Sequence, residues 1–460
     1  APGQLGGFKG QQVCFGSQAL RLFCRLADQR GVSSAVLFLD LASAFHHLVR
    51  ELVTGVSSSA NLEKLLIELQ RAGNGGEKVK AAAGLPGILA DLGAPECLVR
   101  LVRDIHAETW CSLPSGQYLH THRGTRPGSP LADIVFHILM ASVAKRIDGW
   151  IDQNQMHKDI LGGEHGDVLT FIPSVLWADD IAVPLVTREA QNLVPLLQQL
   201  LAEVKGYMRE LGFTLNFARG KTSAVVSFRG RNAATLRQQF QLVAMPGIQC
   251  FFEDGTEHWL HFVPAYKHLG TVFTSDHGLD LEISCRIGVA KAAFAHLSKP
   301  LLTNKHLPVK TRLQLFQALV GTKLFFGLGA WTTPTPKQLQ RLSGFWINTL
   351  KKVLRLTPER WSMSAAQVVA TADTVGVRAR LALDRLLYAQ RLFSVGPSFL
   401  HHLVHLEFES SPHSWLEGLR ADLQWVADIM PQSLPTGWDH DMTSLFEMWQ
   451  AGGKIGRAHV

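Results

Sequence analysis

The chain has 460 residues, of which 46% are hydrophobic, and its formal net charge is +7. This composition does not favour an intrinsically disordered chain, and it provides enough apolar surface for two or three domains. No apolar run approaches the roughly 18 to 20 residues that span a bilayer, and no basic-then-apolar leader opens the chain. We therefore expect a protein that is neither secreted nor inserted in a membrane.

The charge is concentrated in one window. Residues 281–360 contain 13 Lys or Arg against two Glu, a net charge of +11, whereas residues 401–450 contain eight carboxylates against one Arg. Such a basic window predicts a polyanion-binding surface, although a solvated basic helical face would have the same composition. The six cysteines show no zinc-ligand spacing, so we expect reduced thiols.

The first predicted elements are a helix and a strand. The pattern is helical around residues 18–28, and a continuous apolar run, Ala35 to Leu39, fits a strand that is buried on both faces and ends at Asp40. Ser129 and Pro130 predict the N-terminus of a helix that runs to near Ile147.

The next predicted elements are two strands and a helix. Apolar runs at 174–177 and 181–186 flank Ala178-Asp179-Asp180, which predicts a hairpin with a tight acidic turn. A long amphipathic helix follows and ends at Gly212. This order of elements predicts an α+β fold.

Three carboxylates stand out because Asp40, Asp179 and Asp180 lie at the ends of strongly apolar strands. An unpaired carboxylate there costs several kcal/mol. Phosphoryl-transfer enzymes use such carboxylates to hold two magnesium ions about 4 Å apart. An Asp-Asp dipeptide alone is expected about once by chance in a chain of this size.

Five stretches, in the correct order, strengthen this hypothesis. Together they resemble the reverse transcriptases of non-LTR retrotransposons (LINE-like elements): Phe38–Phe45, Gly124–Leu131, Trp177–Asp180, Leu215-Asn216 with Lys221-Thr222, and Tyr266–Gly270. The resemblance implies a right-hand polymerase of fingers, palm and thumb, with an antiparallel palm sheet and a mostly helical thumb. It also implies an RNA-directed DNA polymerase, a nucleotidyltransferase that copies retroelement RNA into DNA.

The resemblance implies roles for individual residues. Asp40, Asp179 and Asp180 would be catalytic ligands of two Mg²⁺ ions, with Mn²⁺ as an alternative. Lys221 would donate a proton to pyrophosphate, and an ordinary surface Lys is the other interpretation.

Further residues would contact the nucleotide, the template or the primer. The Leu41 carbonyl would be an additional metal ligand. Phe45 would exclude a 2′-hydroxyl, and a core Phe is the alternative. Arg126, Gly128 and Ser129 would lie under the template and nucleotide, with Arg126 also explicable as a surface Arg. The primer grip would be formed by Tyr266, Leu269 and Gly270.

The chain departs from the family pattern at four points. His46 stands in place of a second Asp, Pro127 in place of Gln, and Trp177 in place of Tyr or Phe. The spacing from Asn216 to Lys221 is two residues longer than usual, which bears on the role of Lys221.

The resemblance also implies a domain layout. It places a fingers remnant at 1–34, a palm at 35–275 with inserted fingers segments at about 60–123, and a basic helical thumb at 276–360. A C-terminal helical region of unknown role follows at 361–453. Residues 454–460 resemble a translated sequencing adapter, so we expect a fragment.

The implied partners are an RNA template, a DNA primer or nicked target DNA, and dNTPs, at a nuclear site of action. Two alternatives stay open: a catalytically decayed copy that at most binds nucleic acid, and an RNA-dependent RNA polymerase. Phe45 and residues 266–270 favour the DNA-making enzyme.

Overall fold

The computed structural model describes residues 2–6, 10–55, 63, 87–107, 109–121, 124–125, 130–157, 160, 171–241, 243, 245–410 and 414–429. Arg126, Gly128, Ser129, residues 454–460 and much of the predicted fingers insertion lie outside these ranges. The chain divides into two compact units. Unit 1 comprises Ala1–Gly16 and Ala27–Leu269, and unit 2 comprises Ser17–Leu26 and Gly270–Val460.

Unit 1 is a mixed α+β structure around a six-stranded sheet. Its helices are α1 (Val13–Gln29, whose middle belongs to unit 2), α2 (Ala44–His47), α3 (Arg50–Thr54), α4 (Ile88–Asp91), α5 (Glu96–His106), α6 (Pro130–Gln153), α7 (Ala190–Glu210) and α8 (Ala233–Gln241). Its strands are β1 (Ser33–Leu39), β2 (Thr109–Ser112), β3 (Tyr118–Thr121), β4 (Val175–Trp177), β5 (Asp180–Thr187), β6 (Ser223–Ser227), β7 (Gly247–Phe251), β8 (Glu257–Phe262) and β9 (Ala265–His268).

The sheet has the order β4-β5-β1-β6-β8-β7, with β1 antiparallel to both β5 and β6. Every residue of β1 is buried, which confirms the predicted two-sided strand. Alternate residues Ala35, Leu37 and Leu39 join the hydrophobic core that contains α6 and α7. Phe38 stacks instead on the ring of Tyr266, with centroids 4.3 Å apart. Since side chains alternate along a strand, β1 packs different residues on each face.

The helix α6 is longer than predicted. It continues past Ile147 to Gln153 and includes Gly149. A Gly inside a helix costs about 1 kcal/mol relative to Ala. Ile151 is fully buried and Trp150 packs against the core, so apolar burial compensates for that cost.

The helix α7 confirms the predicted amphipathic pattern. It buries Leu193, Leu197, Leu200 and Val204. It ends before Gly212, whose φ of 80° is readily adopted only by Gly.

Pro184 lies within β5 and has no N–H to donate. Its carbonyl accepts a hydrogen bond of 2.9 Å from His157 Nε2. The N–H and C=O groups of a strand residue point to the same side, so the missing donor lies on the His157 side and not toward β1. The sheet therefore loses no hydrogen bond to β1 at Pro184.

Residues 3–5 lie along the outer side of β4. The amide of Leu176 donates to the carbonyl of Gly3 over 2.9 Å, and its carbonyl accepts from the amide of Leu5 over 2.9 Å. Gln4 adds a side-chain hydrogen bond to the His137 carbonyl.

Unit 2 is largely helical. Its elements are β10 (Thr271–Thr274), α9 (Asp280–Leu297), α10 (Val309–Phe316), α11 (Thr322–Leu324), α12 (Pro336–Leu354), α13 (Ala365–Thr371), α14 (Val377–Val395), α15 (Ser398–Ser410) and α16 (Trp415–Ile429), with π-helical turns at Ser298–Leu302 and Gln317–Gly321 and 3₁₀ turns at Leu328–Ala330 and Pro358–Ser362. Thr335 begins α12 with a capping box to Gln338. Phe316 stacks on Trp346 in the core.

One stretch of unit 2, Val309–Ala330, is apolar and long enough to cross a membrane by length and composition alone. Half of its 18-residue apolar window is buried inside the protein. A core helix has the same properties, so this is weak evidence for a membrane span.

Candidate active site

The three aspartates are brought together by strand pairing. Leu39, the last residue of β1, pairs with Ile181 of β5, and Trp177 of β4 pairs with Asp180. Asp40 therefore leaves β1 beside Asp180. Asp179 and Asp180 are exposed, whereas the Asp40 side chain is only 24% exposed.

The β4-β5 hairpin has a tight turn that consists of Ala178 and Asp179. Ala178 has a φ of 54°, in the left-handed region that costs an L-residue about 1 to 2 kcal/mol. The short turn places Asp179 and Asp180 together at the closed end of the hairpin. The predicted acidic turn is confirmed, and its backbone strain was not evident from the sequence.

Both carboxylate oxygens of Asp40 bind side chains from residues 214–222. Lys221 Nζ lies 3.1 Å from Oδ1, and Asn216 Nδ2 donates to Oδ2 over 3.0 Å. The backbone is bound as well, because the amide of Asn216 donates to the Asp40 carbonyl over 2.8 Å and the Asp40 amide donates to Thr222 Oγ1 over 3.2 Å. This segment fixes the position of Asp40.

The unusual spacing between Asn216 and Lys221 is taken up by a closed loop. The amide of Thr222 donates to the Asn216 carbonyl over 3.0 Å, and the amide of Lys221 donates to the Ala218 carbonyl over 3.0 Å. The loop returns on itself, so the extra residues do not carry Lys221 away from Asp40.

Electrostatic coupling shows how much negative charge is gathered here. The pKa of Asp180 is raised, first by partial burial and then by the charges of Asp179 and Asp40, and Lys221 opposes this effect. Burial, followed by the charges of Asp40 and Asp180, raises the pKa of Tyr266 to about 12.

The donor set fits a divalent cation by its chemistry, because carboxylate oxygens are the ligands that Mg²⁺ prefers. Among the described residues, no three His, Cys, Asp or Glu side chains are arranged around a common point as a metal site requires. In this arrangement the two oxygens of Asp40 face Lys221 and Asn216.

The Leu41 carbonyl is on the β5 side of the backbone. Leu41 lies opposite Leu215 in a short antiparallel pairing. The hydrogen bonds of this pairing are made by the neighbouring residues: the Asn216 amide donates to the Asp40 carbonyl, and the Ala42 amide donates to the Thr214 carbonyl. In an antiparallel pair, the residue between two such bonds points its own N–H and C=O the other way.

A second segment, residues 124–125, is bound to the chain that follows Asp40. Gly124 donates its amide to the Leu48 carbonyl over 2.7 Å. A Cβ on Gly124 would lie 2.6 Å from the His46 carbonyl oxygen, and its φ is 81°. Gly124 is therefore required here for both its conformation and its size.

Arg50 holds this segment and was not recognised from the sequence. Its guanidinium donates to the carbonyls of Gly124, His106 and Thr121 and to Thr121 Oγ1. Arg50 is only 9% exposed. Its sequence context gave no clear signal, because Arg50 and Glu51 form a charged pair within an apolar stretch, as on many helix surfaces.

Phe45 is half-buried. Its ring stacks on Phe136 of α6, with centroids 4.4 Å apart. The contact is consistent with either interpretation made from the sequence, because the ring packs against the core and keeps part of its surface exposed.

Residues 266–270 contain a turn. Leu269 and Gly270 both have left-handed backbone conformations, with φ of 50° and 75°. The neighbouring His268 is buried, which lowers its pKa to about 3.

In unit 2, the basic window does not present all its charges to solvent. Arg312 is 4% exposed and donates to the Val353 carbonyl over 2.6 Å, and Arg286 pairs with the buried Glu282. Lys291, Lys299, Lys305 and Lys310 are exposed.

No model of a known protein family matches the chain, and no curated protein matches it significantly. Among solved structures, the chain is similar to telomerase from Candida albicans in complex with a TWJ fragment of telomeric RNA, with 12% sequence identity and a TM-score of 0.35. The match covers 94% of this chain and 52% of that protein, so the chain spans about half its length. A likeness of this degree carries no argument, and the site rests on its own geometry.

Proposed function

We propose that the chain is the catalytic part of an RNA-directed DNA polymerase of the non-LTR retrotransposon type. The observation that carries the proposal is the meeting of Asp40 with Asp180 at the end of β1, with Asp179 in the adjoining turn and Lys221 bound to Asp40. Unit 1 would contain the palm and unit 2 the thumb.

Asp40, Asp179 and Asp180 would hold Mg²⁺ or Mn²⁺, with the Leu41 carbonyl as a further ligand. The ions would supply the positive charge that phosphoryl transfer requires. The primer 3′-hydroxyl would attack the α-phosphate of a dNTP and release pyrophosphate.

The chain's own residues would position the reactants. Asn216 and Thr222 hold Asp40 in place, and Lys221 would donate a proton to the leaving pyrophosphate. Phe45 would lie against the incoming sugar, on a backbone fixed by the 124–125 segment. The roles of Arg126, Gly128, Ser129 and the 266–270 turn stay predictions from the resemblance.

The substrates follow from the same proposal. The template would be the element's own RNA, the primer nicked chromosomal DNA, and the site of action nuclear. The exposed lysines of unit 2 would contact the phosphates of template and primer.

Primer extension on an RNA template tests the proposal, with dNTPs and rNTPs compared in Mg²⁺ and in Mn²⁺. Asp40→Asn or Asp179→Asn should lower nucleotide addition by orders of magnitude and leave the melting temperature within a few degrees. Asp152→Asn, at an exposed position on α6, is the matched control and should keep full activity.

Near-normal extension by Asp179→Asn would refute the assignment of the site. Failure of the unaltered chain to add any nucleotide would indicate the decayed copy. A preference for rNTPs would indicate the RNA polymerase.

A further inference from the structure

A β-hairpin of unit 1 exposes aromatic rings that the proposed reaction does not use. Strands β2 and β3 pair Trp110 with His120 and Ser112 with Tyr118. Since side chains alternate along a strand, these four residues share one face. Trp110 is 59% exposed and Tyr118 is 69% exposed.

The two rings form an edge-to-face pair. Their centroids are 5.0 Å apart and their planes meet at 81°. In such a pair, the ring that presents its edge keeps both of its faces open. The hairpin thus exposes the faces of aromatic rings to solvent, whereas large aromatic rings are usually well buried.

The hairpin is joined by hydrogen bonds to the chain that follows Asp40. Thr109 and Thr121 tie its open end through hydrogen bonds on the other face. Arg50 joins the end of β3 at Thr121 to the Gly124 carbonyl. Gly124 in turn binds Leu48, a few residues after Asp40.

The charge around the hairpin suits a polyanion. Residues 108–131 contain one carboxylate, Glu108, against two Arg and two His. A protein partner would be matched by apolar groups and by charged groups of both signs, whereas a nucleic acid is matched by exposed aromatic rings and an excess of basic groups.

We infer that the Trp110-Tyr118 face of this hairpin binds single-stranded nucleic acid by stacking on one or two unpaired bases. The choice of this partner rests on the proposed function, in which a single-stranded template must reach the site. Stacking needs no sequence readout, because every base has a π-face.

The test is the affinity of the full chain for a 5′-labelled single-stranded RNA of ten nucleotides, measured by fluorescence anisotropy without metal or dNTPs. Trp110→Ala with Tyr118→Ala should weaken binding about 10- to 100-fold. Trp110→Phe with Tyr118→Phe should restore most of the affinity, because the rings remain. A duplex of the same sequence should bind all variants equally, since its bases are already stacked.

Trp259→Ala is the matched control, because Trp259 is a 40% exposed Trp on β8 of the same unit. A 4-thiouridine RNA should crosslink to the hairpin peptide, as mapped by mass spectrometry. If the double Ala variant folds normally and binds RNA as tightly as Trp259→Ala, the inference is wrong. A change in oligomeric state with unchanged RNA affinity would also overturn it, in favour of a protein-binding face.

The binding test and primer extension fail independently. Loss of RNA affinity in the double Ala variant, in a chain that adds no nucleotides, would retain the stacking face and reject the polymerase. Normal primer extension with unchanged RNA affinity in the double Ala variant would retain the polymerase and reject the stacking face.

Discussion

The amide of Thr125 donates a hydrogen bond of 2.7 Å to the carbonyl of Phe45. This hydrogen bond joins two stretches that are far apart in sequence, the segment after Asp40 and the segment before α6. The neighbouring Gly124 makes the joint possible, because any side chain there would meet the backbone of His46.

Gly124→Ala should therefore destabilise unit 1 by about 2 to 4 kcal/mol and impair nucleotide addition, since it adds a steric clash to a strained φ. Gly116→Ala is a matched control. Gly116 has a φ of 82°, but nothing lies within 4 Å of the added Cβ, so only strain of about 1 kcal/mol applies. Chemical denaturation measures both, and equal destabilisation of the two variants would show that the close approach to His46 is unimportant.

Phe45→Ala should raise ribonucleotide incorporation relative to deoxynucleotide by about 10- to 100-fold, because it removes the ring that would clash with a 2′-hydroxyl. Phe217→Ala is the control, since Phe217 is also half-buried and stacks on His258 in the same unit. It should lose stability without a change in sugar preference. Unchanged selectivity in a destabilised Phe45→Ala protein would establish Phe45 as a core residue only.

Two buried groups should produce opposite pH dependences. Burial lowers the pKa of His157 to about 4, from an ordinary 6.5, so its contribution to stability is present above pH 6.5 and lost as the pH falls toward 4. Burial raises the pKa of Asp148 to about 6, from 3.8, so its contribution is present below pH 3.8 and lost as the pH rises through 6. Between pH 4 and 6 the two effects cancel.

Single substitutions should reveal each slope. Ile172 donates its amide to His157 Nδ1 over 2.9 Å, and Gln can replace both ring hydrogen bonds without titrating. Relative to the unaltered chain, His157→Gln should lose stability as the pH rises from 4 to 6, by about 1.4 kcal/mol per pH unit. Asp148→Asn should gain stability over the same range. Unfolding in urea at several pH values measures both, and parallel curves for all three proteins would contradict the prediction.

Nucleic-acid affinity should fall steeply with salt if the exposed lysines of unit 2 bind phosphates. Replacement of Lys291, Lys299, Lys305 and Lys310 by Gln should reduce the slope of log K against log salt by about 0.7 to 0.9 for each lysine–phosphate pair that is removed. Arg312→Gln is the control: it should destabilise unit 2, because Arg312 binds the Val353 carbonyl, and leave the slope unchanged. An unaltered slope in the fourfold variant would place the binding surface elsewhere.

The strand β1 was predictable because an unbroken apolar run is a local signal. The acidic hairpin was predictable because a short acidic turn between two apolar runs is also a local signal. The end of α6 was predicted wrongly, since burial of Ile151 outweighs the local cost of Gly149. Strands β7 and β8 were not predicted, because β7 pairs with β8 and β8 pairs with β6, and such pairings are not local signals.

The hydrogen bonds around Asp40 could not be predicted in full from the sequence. Asn216 and Lys221 were singled out by resemblance, but the loop that returns Lys221 to Asp40 depends on a hydrogen bond between Thr222 and Asn216. Arg50 was missed because its partners are three carbonyls that are distant in sequence. Arg312 belongs to the basic window that was predicted to bind a polyanion, but it is buried, since composition does not reveal which basic residues satisfy helix carbonyls.

The proline in β5 also affects how the sheet meets other chains. An open sheet edge invites a strand from another molecule, which is a common start of aggregation. Here β4 is only three residues long, and residues 3–5 occupy its outer side. Where β5 continues past the end of β4, Pro184 has no N–H to donate, and its carbonyl already accepts a hydrogen bond from His157. This edge offers no continuous row of free donors and acceptors, so His157→Ala should make the protein more prone to aggregate through β5.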